Sequence, residues 1–177
     1  MRATGIVRRI DELGRVVIPK EIRRTQRIKS GDSLEIFTDK NGEVVFKKYS
    51  PLAELGEPAA LYADVLARRL GCGVAVCDRE KIVAAAGAGR SELLGEPLPP
   101  ELDALLARRK LYTAPEEPLH RVALGSRWLL CAAPVLVHGD IEGGELLPGM
   151  RRDAVPDPET IRAAATAAEF LARWMGE

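Results

Sequence analysis

Three cysteines are all that the 177 residues contain, and Cys72, Cys77 and Cys131 form neither a CxxC pair nor a histidine-flanked cluster. Neither a zinc site nor a disulfide framework is indicated, and buried reduced thiols are expected. No stretch approaches the roughly 18 consecutive apolar residues of a membrane span. The N-terminal MRATGIVRRIDELG has no signal-peptide core, so a cytoplasmic protein is expected. Catalytic signatures are equally scarce. His120 and His138 stand without a Ser, Cys or carboxylate partner at a recognisable spacing, and turn or surface positions are expected for them. The carboxylates are scattered, and GAGR at 87–90 lacks the continuation of a phosphate loop, so it reads as an ordinary loop. Hydrolysis, group transfer, a metal centre and a cofactor all find no support.

What the chain does have is an uneven distribution of charge. Its formal net charge is zero, yet residues 1–49 hold twelve Lys and Arg against seven Asp and Glu, while the remainder holds fourteen against nineteen. A basic head and an acidic body indicate separate duties, and the length suits two small domains.

In the head, TGIVRRI (Thr4–Ile10) reads as a strand with Ile6, Arg8 and Ile10 on one side and Val7 and Arg9 on the other. Asp11, Glu12 and Gly14 supply a turn, RVVI (Arg15–Ile18) a second strand, and Pro19 opens a helix that the pattern KEIRRTQRI extends to Ile28. Ile18, Ile22 and Ile28 then face inward, and Arg23, Arg24 and Arg27 outward. SGD after Lys29 stops the helix, and two alternating strands flank Asn41-Gly42, a strong hairpin turn. Such a β-β-α-β-β unit is too small to bury a sufficient core alone, which points to a second copy of the chain. From Met1 to Ser30 nine cations face three anions. Arginine's planar fork suits phosphate oxygens and guanine edges, so double-stranded DNA is the natural partner. On composition alone, arginines that merely solubilise a small domain and block edge pairing weigh about the same.

In the body, a helix follows Pro51 with Leu61, Val65, Leu66 and Leu70 at helical spacing. CGVAVCD (72–78) and KIVAAAG (81–87) form a hairpin, and PELDALLARRKL (100–111) a helix. HRVALG (120–125) and RWLLCAAPVLV (127–137) are strands, and DPETIRAAATAAEFLARWM (157–175) is a long amphipathic helix. Sheet in the middle with helices at both ends gives an α+β body. HGDIEGGELLPGM (138–150) breaks the apolar pattern. Glu142 and Glu145 are expected to be exposed or paired, with the segment an exposed loop or irregular edge.

TGIVRRIDELGRVVIPKEIRRTQRIKSGDSLEIF with GEVVFKKY resembles the swapped-hairpin DNA-binding domain of AbrB-type transition-state regulators. KKYSPLAELG, YADVLARRLG, VCDRE and TAAEFLARWM resemble sporulation regulators that join this domain to a C-terminal GAF domain. The resemblance implies an α+β chain with a swapped-hairpin DNA-binding domain at 1–50, a connecting helix at 51–71 and a GAF-like sensor and oligomerisation domain at 72–177. It implies a homodimer through interleaved hairpins, a homotetramer through paired GAF domains, and control of forespore genes by activation or repression. DNA contacts then fall to Arg8, Arg15, Arg23 and Arg24, with Arg9, Arg27 and Lys29 as flanking phosphate contacts. An unidentified small-molecule effector is compatible with the body. Two alternatives are an antitoxin-like protein-binding module and a GAF-type thiol enzyme. The second conflicts with the placing of Cys77 and Cys131 inside apolar runs.

Overall fold

Asn41-Gly42 closes the hairpin its chemistry demands: β1 (Leu34–Thr38) and β2 (Val44–Lys48) pair antiparallel from Leu34 opposite Lys48 to Thr38 opposite Val44. Asp39 fastens this turn, its carboxylate accepting from the Asn41 and Glu43 N–H groups at 3.0 and 2.9 Å. The structure, a computed structural model, describes residues 4–114 and 121–176. It divides into residues 1–49 and residues 50–177.

The first unit departs from expectation in two places. Thr4–Ile10 and Arg15–Ile18 meet at the expected turn, where Asp11 N–H donates to Arg15 O at 3.0 Å and Gly14 N–H to Asp11 O at 2.9 Å. They do not continue into a two-stranded ladder. Their apolar side chains explain why: Ile6, Val7, Ile10, Leu13, Val16 and Val17 are all exposed, Val7 to 84%. A strand is held by a covered face, and no described residue of this unit covers these side chains. The helix is also shorter than predicted, α1 spanning Lys20–Thr25 and not reaching Ile28. Arg27 adopts φ +53°, so that Ile28 N–H returns to Arg23 O at 2.7 Å and Arg27 N–H to Arg24 O at 3.3 Å. This closure normally uses glycine in the left-handed position. With arginine there, the stop leaves no mark in the sequence. Ile18, Ile22 and Ile28 are half-buried, as expected, yet no described residue of the unit is fully buried.

The second unit is built on one antiparallel sheet. Its strands are β3 (Val74–Cys77), β4 (Ile82–Ala86), β5 (Tyr112–Thr113), β6 (Ala123–Leu124), β7 (Arg127–Val137) and β8 (Asp140–Gly149). They run in the order β4-β3-β8-β7-β5, with β6 also on β7. Helices α2 (Pro51–Glu54), α3 (Gly56–Leu70) and α6 (Pro158–Gly176) belong to one face, and α4 (Arg90–Leu93) and α5 (Pro100–Leu106) to the other. This is the expected α+β arrangement of an antiparallel sheet with flanking helices. Local chemistry sets the helix ends. Ser50 Oγ accepts from Ala53 N–H at 3.2 Å, Gly71 ends α3 at φ +64°, and Asp157 accepts from Thr160 N–H at 2.7 Å. His138 occupies the two-residue turn between β7 and β8 with φ +49°, an exposed turn position as expected. His120 lies outside the described residues.

On α3 the helical spacing resolves into two unlike faces. Ala59, Ala63 and Ala67 are buried against the sheet, whereas Leu61 and Val65 remain 67% and 57% exposed. Small side chains allow close approach of helix to sheet; Leu66 and Leu70 pack half-buried at the margin of the same layer, and Leu61 and Val65 point away from it. On α6, Ala164, Ala168 and Leu171 enter the same layer while Phe170 and Trp174 stay partly exposed. Tyr62 of α3 stacks on Phe170 at 4.7 Å, and Trp174 meets Phe170 edge-on at 5.3 Å.

The largest correction concerns 138–150. The segment is neither a loop nor a sheet edge: β8 lies in the sheet interior between β3 and β7. Two shifts of register interrupt its pairing with β7. Its glycines are explained by crowding on both faces. A Cβ at Gly143 would overlap the Cys77 carbonyl oxygen and sit 2.5 Å from Leu52 Cδ1, and one at Gly144 would lie 2.7 Å from Leu106 Cδ2. Glu142 is half-buried. Glu145, expected to be exposed or paired, is fully buried and neither of its oxygens has a hydrogen-bond partner. Gly143→Ala is expected to cost about 3 kcal/mol, because the added methyl meets backbone that cannot move aside. Urea unfolding followed by tryptophan fluorescence measures it, since Trp128 and Trp174 both lie in this unit.

Candidate nucleic-acid interface

Asp11 organises the turn that displays the first group of cations. Its Oδ1 accepts the N–H groups of Leu13 and Arg15 at 3.0 and 2.8 Å, and its Oδ2 accepts Arg15 Nε at 2.8 Å. The Arg15 backbone N–H, then its guanidinium, hold the Asp11 carboxyl below the usual carboxylate range. Arg8 and Arg9 precede this turn and are exposed, Arg8 Nη1 donating to the neighbouring Val7 carbonyl at 3.1 Å.

The second group sits on α1 and its closure. Pro19 starts the helix in the position where a missing N–H is harmless. Arg23 and Arg24 occupy its last turn, where cations also complement the helix dipole. Arg27 follows in the left-handed position, and its carbonyl accepts from Lys48 Nζ, which also pairs with Asp32 at 3.3 Å. Lys29 N–H donates to Asp32 Oδ2 at 2.8 Å, tying the segment after the helix to the same aspartate.

All seven predicted contact residues, Arg8, Arg9, Arg15, Arg23, Arg24, Arg27 and Lys29, are therefore exposed, on two stretches separated by residues 16–22. Sequence reasoning identified the cations but missed the role of Asp11 as the acceptor that orients Arg15. The signal was the i, i+4 spacing of opposite charges around Gly14.

Cys77 and Cys131 are buried, and burial is the main cause that raises both thiols, Cys131 to about 12. Such thiols are poor nucleophiles. Arg127, buried beside Gly89, lies 3.5 Å from Glu92 and donates to Met150 Sδ at 2.7 Å, a structural tie between α4 and the strand ends.

Exposed cations on a small unit of one helix and a β-hairpin, joined to an α+β body, define a DNA-binding transcription regulator. Residues 54–176 match the family described as stage V sporulation protein T C-terminal, transcription factor. Residues 7–53 match that described as antidote-toxin recognition MazE, bacterial antitoxin. The chain is 41% identical over 186 aligned positions to stage V sporulation protein T of Bacillus subtilis (strain 168), covering 99% of both proteins. It thus belongs to the stage V sporulation protein T family. Over 51 positions it is 57% identical to the transition state regulatory protein AbrB of the same organism, spanning 29% of this chain and 52% of that one. A type II free methionine-R-sulfoxide reductase from Thermoplasma acidophilum shares the body's fold at 15% identity, with a TM-score of 0.50 over 68% of this chain and 94% of the other. No described helix is long and apolar enough to cross a membrane.

Proposed function

We propose that the chain is a cytoplasmic, nucleoid-associated and non-enzymatic regulator that controls forespore genes by activation or repression. Residues 1–50 bind operator DNA, residues 51–71 link them to the body, and residues 72–177 assemble the protein and receive any effector. The observation that carries this reading is the coincidence, within one 49-residue unit, of the seven cations named above, all exposed, with an uncovered apolar set. The first provides a polyanion-binding surface, and the second is what a pair of interleaved chains would bury. Leu61, Val65, Phe170 and Trp174 support a further pairing of bodies, and hence a tetramer.

Arg8, Arg15, Arg23 and Arg24 are assigned to the principal DNA contacts, and Arg9, Arg27 and Lys29 to the flanking phosphates. Arg23→Ala and Arg24→Ala are each expected to weaken operator binding about tenfold to a hundredfold, with no shift in the unfolding midpoint because both side chains face solvent. Fluorescence anisotropy with a labelled duplex, alongside circular dichroism melting, checks the pair. Unchanged affinity, or loss of the folded dimer, would refute the assignment. The match of residues 7–53 to an antitoxin family keeps one alternative in view, a protein-binding module. The folded body of over a hundred residues fits a regulator better than the short disordered tail such modules use. Retention of a protein partner, with no affinity for DNA, would favour the module.

A further inference from the structure

Glu145 stands in the wrong chemical company. It sits on β8 opposite Val76 of β3 and Ala133 of β7, both of which belong to the layer that α3 and α6 cover. Its accessible surface is zero, and neither carboxyl oxygen has a hydrogen-bond partner. The adjacent residues on its strand show that this is no accident of a frayed edge. Leu146 and Leu147 are fully buried on opposite faces, and Gly143 and Gly144 are wedged between packed groups.

The groups facing it offer no compensation. α3 contributes Tyr62, whose phenol is raised by burial first and by the Glu145 charge second. β7 contributes Cys131, raised mainly by burial and further by that same charge, and the segment before β3 contributes Cys72 to the same layer, raised by burial first and by Asp157 second; Cys77 feels the Glu145 charge from the opposite face of the sheet. The α6 residues of the layer are Ala164, Ala168 and Leu171, those of β4 are Ala84 and Ala86, and α2 adds Leu52, none of them titratable. Burial is the cause that lifts the Glu145 carboxyl well above its ordinary value. An ionised carboxylate in this layer would be strongly disfavoured. Two states relieve it: a neutral carboxyl under seated helices, or a charged one reached by water after the helices loosen.

We propose that Glu145 is a proton-held lock on the helical layer, with α3 and α6 seated over its neutral carboxyl and loosened when that carboxyl ionises. The sign follows from linkage. Below the ordinary glutamate value of 4.5 the carboxyl is protonated in both closed and open states and exerts no pull. As pH rises beyond that value the open state releases the proton and the closed state keeps it. Closure then weakens by up to about tenfold in equilibrium constant per pH unit, until the closed state also ionises. Because the same helices carry Leu61, Val65, Phe170 and Trp174, the lock also governs how readily bodies pair. That consequence, unlike the lock itself, rests on the pairing proposed above.

The test uses the full chain and its Glu145→Gln and Glu145→Met variants between pH 5 and pH 8, with urea unfolding followed by the fluorescence of Trp128 and Trp174. Glutamine keeps the size and the unpaired polar atoms but does not titrate, and methionine removes the polarity. The expected result is a wild-type midpoint that falls with pH relative to both variants. Amide exchange in α3 and α6 should accelerate with pH more steeply in wild type than in Glu145→Gln. Midpoints that run parallel in wild type and both variants overturn the lock. Should one variant fail to fold, the other gives the same comparison. Sedimentation of the same samples separates the two readings. A chain that is no larger than a dimer at every pH, while the wild-type midpoint still falls relative to the variants, supports the lock and refutes pairing of the bodies through this face.

Discussion

Between 50 and 200 mM salt the chain is expected to lose roughly 10³- to 10⁴-fold in affinity for operator DNA. The estimate follows from counterion release. A dimer presenting two copies of the exposed set and neutralising about 6 to 8 phosphates gives a slope of log K against log salt of roughly −5 to −7. The structure makes so steep a dependence reasonable because all seven cations are exposed. Only Arg15 of these arginines has a carboxylate partner among the described side-chain pairs, and it uses Nε for that contact. Anisotropy titrations with one duplex at four or five salt concentrations give the slope directly. A value near zero would mean that the basic surface takes no part in binding, and the proposed interface would fall with it.

A second large effect is expected on assembly. Leu61→Asp combined with Val65→Asp should convert the proposed tetramer into dimers at micromolar concentration, because two carboxylates would enter an apolar contact. The body itself should stay folded: both residues are largely exposed in a single chain, and the helix is held to its sheet by Ala59, Ala63 and Ala67. For DNA carrying two sites within reach, loss of the second dimer removes the benefit of linkage, so apparent affinity should drop about 10²-fold or more while single-site affinity is unchanged. Sedimentation velocity and binding to one-site and two-site duplexes measure the two effects. A double variant that remains tetrameric would locate the pairing face elsewhere, and one whose body unfolds would show these side chains to be structural.

The elements whose signals are local were legible in the sequence. Asn41-Gly42 announces the β1–β2 turn, the apolar runs either side of 78–80 announce β3 and β4, and Asp157 with Pro158 announces the start of α6. Legibility ended where the deciding factor was tertiary. Glu-Gly-Gly-Glu reads as an exposed segment because strand interiors seldom contain it. In the fold the glycines answer to Cys77, Leu52 and Leu106, residues distant in sequence, and Glu145 is buried despite its charge. The end of α1 was misread because an arginine takes the conformation that glycine usually marks. On α3 the spacing disclosed a helix but could not say that alanines, with Leu66 and Leu70 beside them, would face the sheet while Leu61 and Val65 would not. The candidate site fared differently. Its cations stand out by number, and the resemblance singled out the positions. The geometry around Asp11 depended on a turn whose hydrogen bonds only a structure reveals.

The absence of any fully buried residue among the described part of 1–49 has a kinetic consequence. A unit that acquires its core only from a second chain cannot complete its folding before collision, so the appearance of binding-competent heads follows the square of chain concentration. The body, which has layers of its own on both faces of its sheet, faces no such requirement. Newly made chains would therefore hold finished bodies and unfinished heads, and association of bodies would turn a search through the cell into a local one. Few copies would leave the regulator silent, and a modest rise in synthesis would switch it on sharply without any effector.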